Sequence, residues 1–572
     1  MTKTRDLADL GGGFIQVGAT VNMQRTVEEK LQDVVSVKDF GAVGNGTDDD
    51  TEAIQAALDT TSKAIYFPQG TYRVVKNDSS PALTSSVADR RIYGEGAITA
   101  TSTVRKAIYI TGDRTQFSLN CSGNNNIGVF VHIAASDCQV TNCRITDLYS
   151  PASTGEVNGV RVTLDGLTGG VVVSDNYFSQ LESVGDLTGG NGIGMSRAVI
   201  VEADSDLDSP IVISNNTIKN VIGEEGDSIA VISSNGAGTY YRLNLVIQSN
   251  TVLNFTRRGI KIQCSGARII GNTLRNTWSS DQGNMQCVID LVQGGSHFVV
   301  NNILDNCKYV AQIKAIEDVA AISDITVASN IITGIGAETS NGLIYLKTNS
   351  GSNVTVSNNT ILCSGYAGIA IAVINTDKVF IDGNHVDIAA GGTPFDVATG
   401  ITNLVGGFNQ VTGKPSSSMR LPGVTTDSAV TFEVNGATTR ALTLTNADTT
   451  LNDGEIISRL AFNVQDGALN QIGASVRAVA VGTSGSTALD FHSGSSGTPD
   501  VFAARVATDG SFYVGGIDRS TAKFGFDVTR GALILLSTTA PASPSEGWLY
   551  FDSSAKKLKV YSGTAWETVT ST

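Results

Sequence analysis

The chain has 572 residues, of which 62 are Gly and only 10 Pro; 16% are charged, and the net charge is −15. That length exceeds what one ordinary hydrophobic core supports, so several domains or one elongated repeat is expected. The acidic balance argues against a nucleic-acid or anionic-membrane binder, and no stretch approaches the roughly 18 apolar residues of a membrane span.

Residues 2–14, "TKTRDLADLGGGF", are mixed in charge and punctuated by Gly. They cannot build a core, so a docking or trimerising segment is expected. No apolar leader of signal-peptide length appears there, which predicts synthesis in a cytoplasm. Next comes "SVKDFGAVGNGTDDDTEAIQAALD" (36–59), with Asp48, Asp49 and Asp50 in one run. The spacing predicts Asp49 as helix cap and Glu52 as its capping-box partner, with Ile54, Ala57 and Leu58 on one buried face. Calcium ligation in EF-hand fashion fails, because neither the alternating ligands nor the terminal Glu is present. The segments "AIYFPQGTYRV" (64–74) and "RIYGEG" (91–96) read as strands with turns, and the helix is expected to cover their open end.

From 140 to 390 one pattern returns, apolar-x-x-Asn-x-apolar. Its Asn falls at 176, 216, 250, 272, 302, 330, 359 and 384, spaced 22 to 40 residues apart, and Cys143 stands in the Asn place of an earlier copy. A second apolar alternation follows each copy, as in "GVRVTL" (159–164) and "GIKIQC" (259–264). Short strands at variable intervals predict a mainly β protein wound as a parallel β-helix, with coils about 4.8 Å apart. The asparagines are expected to sit in left-handed turns and to bond one another coil to coil.

Taking Val160/Val162, Val199/Val201, Ile260/Ile262, Ile289/Leu291 and Ile369/Ile371 as inward, alternation places Arg161, Glu202, Ala230, Lys261, Asp290, Lys314, Tyr345 and Ala370 on an outer wall. Glu202, Lys261 and Asp290 are the candidate catalytic residues. Glu202 and Asp290 lie three coils apart, beyond a glycosidase pair, so Glu225 or Asp227 is the nearer partner for Glu202. Lys261 would need a lowered pKa to act as a base. Arg161, Arg257, Arg258, Lys314, Tyr345 and Trp278 are the candidate substrate-binding residues, cations for acidic sugars and rings for stacking. The stretch Arg257, Arg258, Lys261, Arg268 and Arg275 is the one basic concentration. "DSDLD" (204–208) reads as a solvated acidic turn. The histidines 132, 297, 385 and 492 are isolated, and the seven cysteines lack any CxxC, so they are expected reduced and inward; no metal site or cofactor is expected.

After 412 the asparagines stop. "GKPSSSMRLPG" (413–423) reads as a linker, 424–536 as a β-rich domain of alternating strands, and 537–572 as a second linker plus a two-stranded hairpin with Trp548 and Trp566 exposed or between subunits.

The segment "VSVKDFGAVGNGTDDDTEAIQAAL" with "IYFPQGTY" resembles the opening of the pectate-lyase-like superfamily of right-handed β-helices. "RTVEEKLQD" (25–33) is similar to the connector before it in bacteriophage tailspikes and capsule depolymerases, and the two ends resemble tail-fibre anchor and distal modules. The resemblance implies a right-handed parallel β-helix (36–412) behind a virion anchor and connector (1–35), with C-terminal β-rich trimerisation or fibre domains. It further implies a homotrimer, attached to other tail or baseplate proteins, that acts at a host cell surface on a polysaccharide. Because the fold serves lyases, hydrolases and non-catalytic binders alike, a depolymerising tailspike and a purely adhesive fibre both remain open. A free secreted lyase fits the ends of the chain less well.

Overall fold

The computed structural model describes residues 33–412 and 456–570, with short gaps such as 184–193, 279–286 and 335–341. The chain divides by its contacts into two units, Met1–Val430 and Thr431–Thr572.

The first unit is a right-handed parallel β-helix. One strand of each coil joins a wall of twelve parallel strands running from Pro81–Ser85 to Thr393–Val397, and the other two join a 26-stranded parallel system. Val160, Val199, Ile229, Ile260, Ile289, Ile313, Ile344 and Ile371 lie in one register column of the wall, all without solvent exposure. Stacking like on like in this way gives one continuous apolar core instead of separate small ones.

The open end is sealed as the sequence predicts, with one correction. The helix spans Thr51–Asp59 and buries Ile54, Ala57 and Leu58. Its N-cap is Asp50, not Asp49, and the Asp50 carboxylate caps no helix N–H. Asp50 instead accepts from the backbone of Val43 at 2.6 Å, Gly44 at 3.3 Å and Arg73 at 3.2 Å, tying the loop before the helix to the second coil. Asp49 bonds Thr51 and Asp48 bonds Asn45, so the three carboxylates have three separate local roles. Gln55 pairs its amide with both backbone groups of Thr84, at 2.8 and 3.0 Å, satisfying the first wall strand where no further strand can. Arg90, which the sequence did not single out, is 1% exposed and gives its guanidinium to the carbonyls of Leu58, Thr60 and Ser62, at the last turn of the helix and just beyond its end.

At the corner away from the wall the asparagines form an unbroken ladder. In each rung from Asn176 to Asn384 the backbone N–H and side-chain amide both donate to the side-chain oxygen of the next, at 2.9–3.1 Å, and Asn409 continues the series. The Cys143 backbone donates to Asn176, so Cys143 does hold the first place. The left-handed residue is not the ladder Asn but the one before it: Asp175, Asn215, Ser249, Gly271, Asn301, Ser329, Asn358 and Gly383, with φ between 54° and 66°. That turn aims the following Asn inward, where it is at most 2% exposed from Asn176 to Asn384.

The second unit holds an antiparallel meander of seven strands between Ile456–Asp466 and Ala532–Ile534, and a three-stranded sheet of Leu549–Asp552, Lys557–Tyr561 and Trp566–Thr568. The expected two-stranded hairpin thus has a third strand. Trp566 is half-buried in an aromatic cluster of its own sheet, 4.5 Å from Tyr550 and 5.3 Å from Tyr561, instead of standing exposed. Trp548, the N-terminal segment 1–32 and the linker 413–423 lie outside the described residues.

Candidate functional site: the outer wall

The wall register corrects the sequence reading at two places. The outward column runs Tyr109, His132, Arg161, Ile200, Ala230, Lys261, Asp290, Lys314, Tyr345 and Ala372. Ile200, not Glu202, follows Arg161; Glu202 lies two residues further along, paired with Thr163. Ala372 takes the place expected for Ala370, because Ile371 and Val373 are the inward pair. Alternation alone could not choose between registers two residues apart, since both leave apolar side chains inside.

Two ionic clusters occupy this wall. The first lies toward its N-terminal end. The Arg161 guanidinium bridges Glu156 at 2.5 Å and Glu202 at 2.7 Å, and Glu156 also accepts from Asn158. The three side chains keep 19–28% of their surface open to solvent. One guanidinium spanning both carboxylates limits their separation to about 8 Å. Beside them His132 packs against Tyr109 with the rings tilted by 53° and their centroids 5.0 Å apart, and it bonds the Thr163 hydroxyl at 3.0 Å. Burial, with Lys106 and Arg161 adding repulsion, pushes the His132 pKa down to about 3, so its ring is neutral near pH 7.

The second cluster is buried. Arg258 bonds Asp290 at 2.7 Å and Asp227 at 3.2 Å, and these three side chains are at most 6% exposed. Lys261 adjoins Asp290 in register and is 8% exposed. Arg197 and Arg257 share Glu225, at 3.0 and 2.8 Å. Burial would raise the Asp227 pKa, but Arg258, Lys261, Arg197 and Arg257 together outweigh it and hold that carboxyl below its ordinary range. The Lys261 pKa is lowered, first by burial and then by Arg258 and Arg197, against the pull of Asp227 and Glu225. That is the direction a base would need, but Lys261 is only 8% exposed.

The predicted residues therefore separate. Arg161 and Glu202 meet at one cluster; Lys261, Asp290 and Arg258 meet at the other, with Arg257 one ion pair away; Lys314 and Tyr345 extend the column on consecutive coils, half-exposed. Trp278 is not on the wall. It lies beyond the strand Thr273–Arg275, its backbone N–H bonded to Asn276. Among the described residues Glu202 and Glu225 share no cation: Glu202 pairs with Arg161, whereas Glu225 is held by Arg197 and Arg257. The carboxylate neighbour of Glu202 is Glu156, which the sequence reading missed: the residue lies at a strand start, where no alternation marks it. The basic stretch also divides, with Arg275 paired to Asp305 at 3.5 Å and Arg268 exposed on another sheet. In "DSDLD", Asp204 accepts from the Gly166 backbone, Asp206 from the Arg242 backbone, and Asp208 pairs with the Arg242 guanidinium at 2.9 Å. The six described cysteines are buried thiols.

A wall of stacked coils with ionic and aromatic groups in register defines the chain as a right-handed β-helix of the kind that presents one long sheet face. The family described as "Rhamnogalacturonase A/epimerase, pectate lyase-like" matches residues 34–309, just under half of the chain. Alginate lyase 7 of Azotobacter vinelandii is 53% identical over 49 residues, 8% of this chain and 6% of the relative. Plasmin and fibronectin-binding protein A of Streptococcus pneumoniae is 45% identical over 56 residues, 9% of this chain and 8% of the relative. The chain thus spans less than a tenth of the length of these curated relatives. Among solved structures, the surface adhesin PfbA of Streptococcus pneumoniae covers 63% of this chain and 91% of its own at 17% identity, with a TM-score of 0.48. A tailspike protein of E. coli bacteriophage HK620 covers 69% and 82% at 15% identity, with a TM-score of 0.45. At these identities the likeness is one of fold.

Proposed function

We propose that the chain is the receptor-binding spike of a bacteriophage tail, a homotrimer held to the virion through its N-terminal segment, and that its outer wall binds a host-surface polysaccharide. The observation that carries this reading is the solvent-accessible cluster of Glu156, Arg161 and Glu202, with Tyr109 beside it and Lys314 and Tyr345 in the same column on later coils. The accessible groups of the column stand at two places, Tyr109 and Arg161 at one and Lys314 and Tyr345 at the other. Arg161 and Lys314 are five coils or about 24 Å apart, a span that suits a long polar ligand laid across the coils. Carboxylate oxygens accept hydrogen bonds of the kind sugar hydroxyls donate. The resemblance of residues 25–75 to tailspike connectors supports the virion assignment.

Cleavage is the second reading, favoured by two carboxylates held on one guanidinium, which keeps them inside the roughly 9.5 Å upper limit of glycosidase pairs. In it Glu156 and Glu202 are the carboxylates a glycan reaches. Lys261 and Asp290 share the outward column but are only 8% and 2% exposed, and Arg258 engages Asp290, so a polymer does not reach them. Incubating the protein with polysaccharide from a susceptible host separates the readings. Reducing ends without absorbance near ~232 nm indicate hydrolysis, both together indicate elimination, and binding without either product leaves the adhesin. Failure of any host glycan to bind, with infection blocked by the protein all the same, would remove the polysaccharide assignment.

A further inference from the structure

A second polar concavity lies at the ladder corner, the corner of the coil that the wall does not share. It is a shallow groove of about 340 Å³ lined by Asn142, Arg144, Asp175, Tyr177 and Asn215 among others, small but within the range of ligand sites. Three of these, Asn142, Asp175 and Asn215, are the left-handed residues of successive coils. The same turn that sends each ladder Asn inward leaves these side chains exposed.

The cations here differ from those of the wall. Arg161, Arg197, Arg257 and Arg258 each have a carboxylate partner. Arg144 lies instead over the Tyr177 ring, 4.3 Å from its centroid, and Lys219 stands 5.4 Å from the same centroid. Among the described residues neither has a carboxylate within ion-pair distance. A cation stacked on a ring keeps its N–H edges free, and stacking holds the guanidinium in place before any ligand arrives. Asp175, Asn142 and Asn215 then supply acceptors and donors of the kind that sugar hydroxyls need.

We infer that this groove is an anionic-sugar subsite, in which the carboxylate of a hexuronic acid unit is held by Arg144 and its hydroxyls by Asp175 and the two asparagines. Lys219, beside the groove on the coil after Tyr177, adds positive charge. The assignment rests on the reading of the chain as glycan-binding, but its residues are separate from the wall. Calorimetric titration of the full chain with a short oligogalacturonate tests it, with a neutral maltooligosaccharide of the same length as the comparison. The uronate binds and the neutral sugar does not at this site. Arg144→Ala weakens uronate binding at least tenfold and Lys219→Ala several-fold, while Arg114→Ala, at an exposed surface pair with Asp89, leaves it unchanged. Arg144 and Lys219 make no buried contacts that folding needs, and an unchanged melting curve for each variant verifies this. Uronate binding that survives Arg144→Ala but is lost in Arg161→Ala overturns the groove and leaves the wall reading standing. Uronate binding lost in Arg144→Ala, with no host glycan bound at the wall, upholds the groove and overturns the wall. Absence of uronate binding in the unaltered chain overturns the groove outright.

Discussion

The ladder corner and the outer wall solve the same physical problem in opposite ways. Both hold polar side chains almost without solvent, where a donor or acceptor left unpaired costs stability. The ladder pairs them with one residue type repeated: each Asn bonds the next and nothing substitutes for a missing rung. The wall uses a mixed set, Arg258, Lys261, Arg197 and Arg257 with Asp227, Asp290 and Glu225, which sets cations against carboxylates. Among the described residues it leaves the Nε groups of Arg197 and Arg257 without a hydrogen-bond partner. Periodic pairing is stiff and unforgiving, while aperiodic pairing tolerates change and can be turned to binding.

Substitutions test that contrast directly. Asn272→Ala removes the acceptor of two Asn250 donors and the donor to the Ile247 carbonyl, all at 2.9 Å. With buried unpaired groups costing about 1–3 kcal/mol each, a loss of about 5 kcal/mol is expected, read as a shift in the denaturant midpoint of the β-helix. Arg258→Leu leaves Asp227 and Asp290 buried without their shared partner, an expected loss of about 4 kcal/mol. Nearby Lys261 and Arg197 should make the wall recover when Asp227 is also replaced by Leu, whereas no second substitution rescues the ladder. A double variant no better than the single would remove the claimed tolerance of the wall.

Acid sharpens the comparison at a third place. His297 has no solvent exposure, and burial pushes its pKa down to about 4. The unfolded chain takes up that proton near its ordinary value of about 6.5, so it binds more protons than the folded chain between the two. Stability contributed by the neutral ring is present above about pH 6.5 and is lost as pH falls toward 4, by about 3 kcal/mol. His297→Leu should flatten that part of the profile, and an unchanged acid limb would show that His297 does not titrate on unfolding. The smallest effect is expected at the sealed end: Gln55→Ala frees both backbone groups of Thr84 to water at the edge, for about 1 kcal/mol and a local rise in amide exchange.

Much of this architecture was legible from particular residues. The recurrent asparagines gave the coils and Cys143 the first rung, and Ile54, Ala57 and Leu58 gave the sealing helix. The site was legible in part. Arg161, Lys261, Asp290, Lys314 and Tyr345 fell on the predicted column, but Glu202 and Ala370 did not, since a slip of two residues preserves every inward side chain. Glu156, Arg144 and Arg90 carried no pattern at all: one opens a strand, one lies on a ring of the next coil, and one reaches back to a helix end some thirty residues before it.

By its own periodicity the sequence determined that the chain winds, where each coil turns, and which residues fill the core, because those properties repeat and a repeat is written in one dimension. Only the tertiary structure decided which charges meet, since a cation and its carboxylate from different coils are 30 or 40 residues apart and are brought together by the number of residues each intervening turn consumes. That number varies from coil to coil, so the partners of Arg258 and Arg161, and the solitude of Arg144, exist only once the coils are stacked.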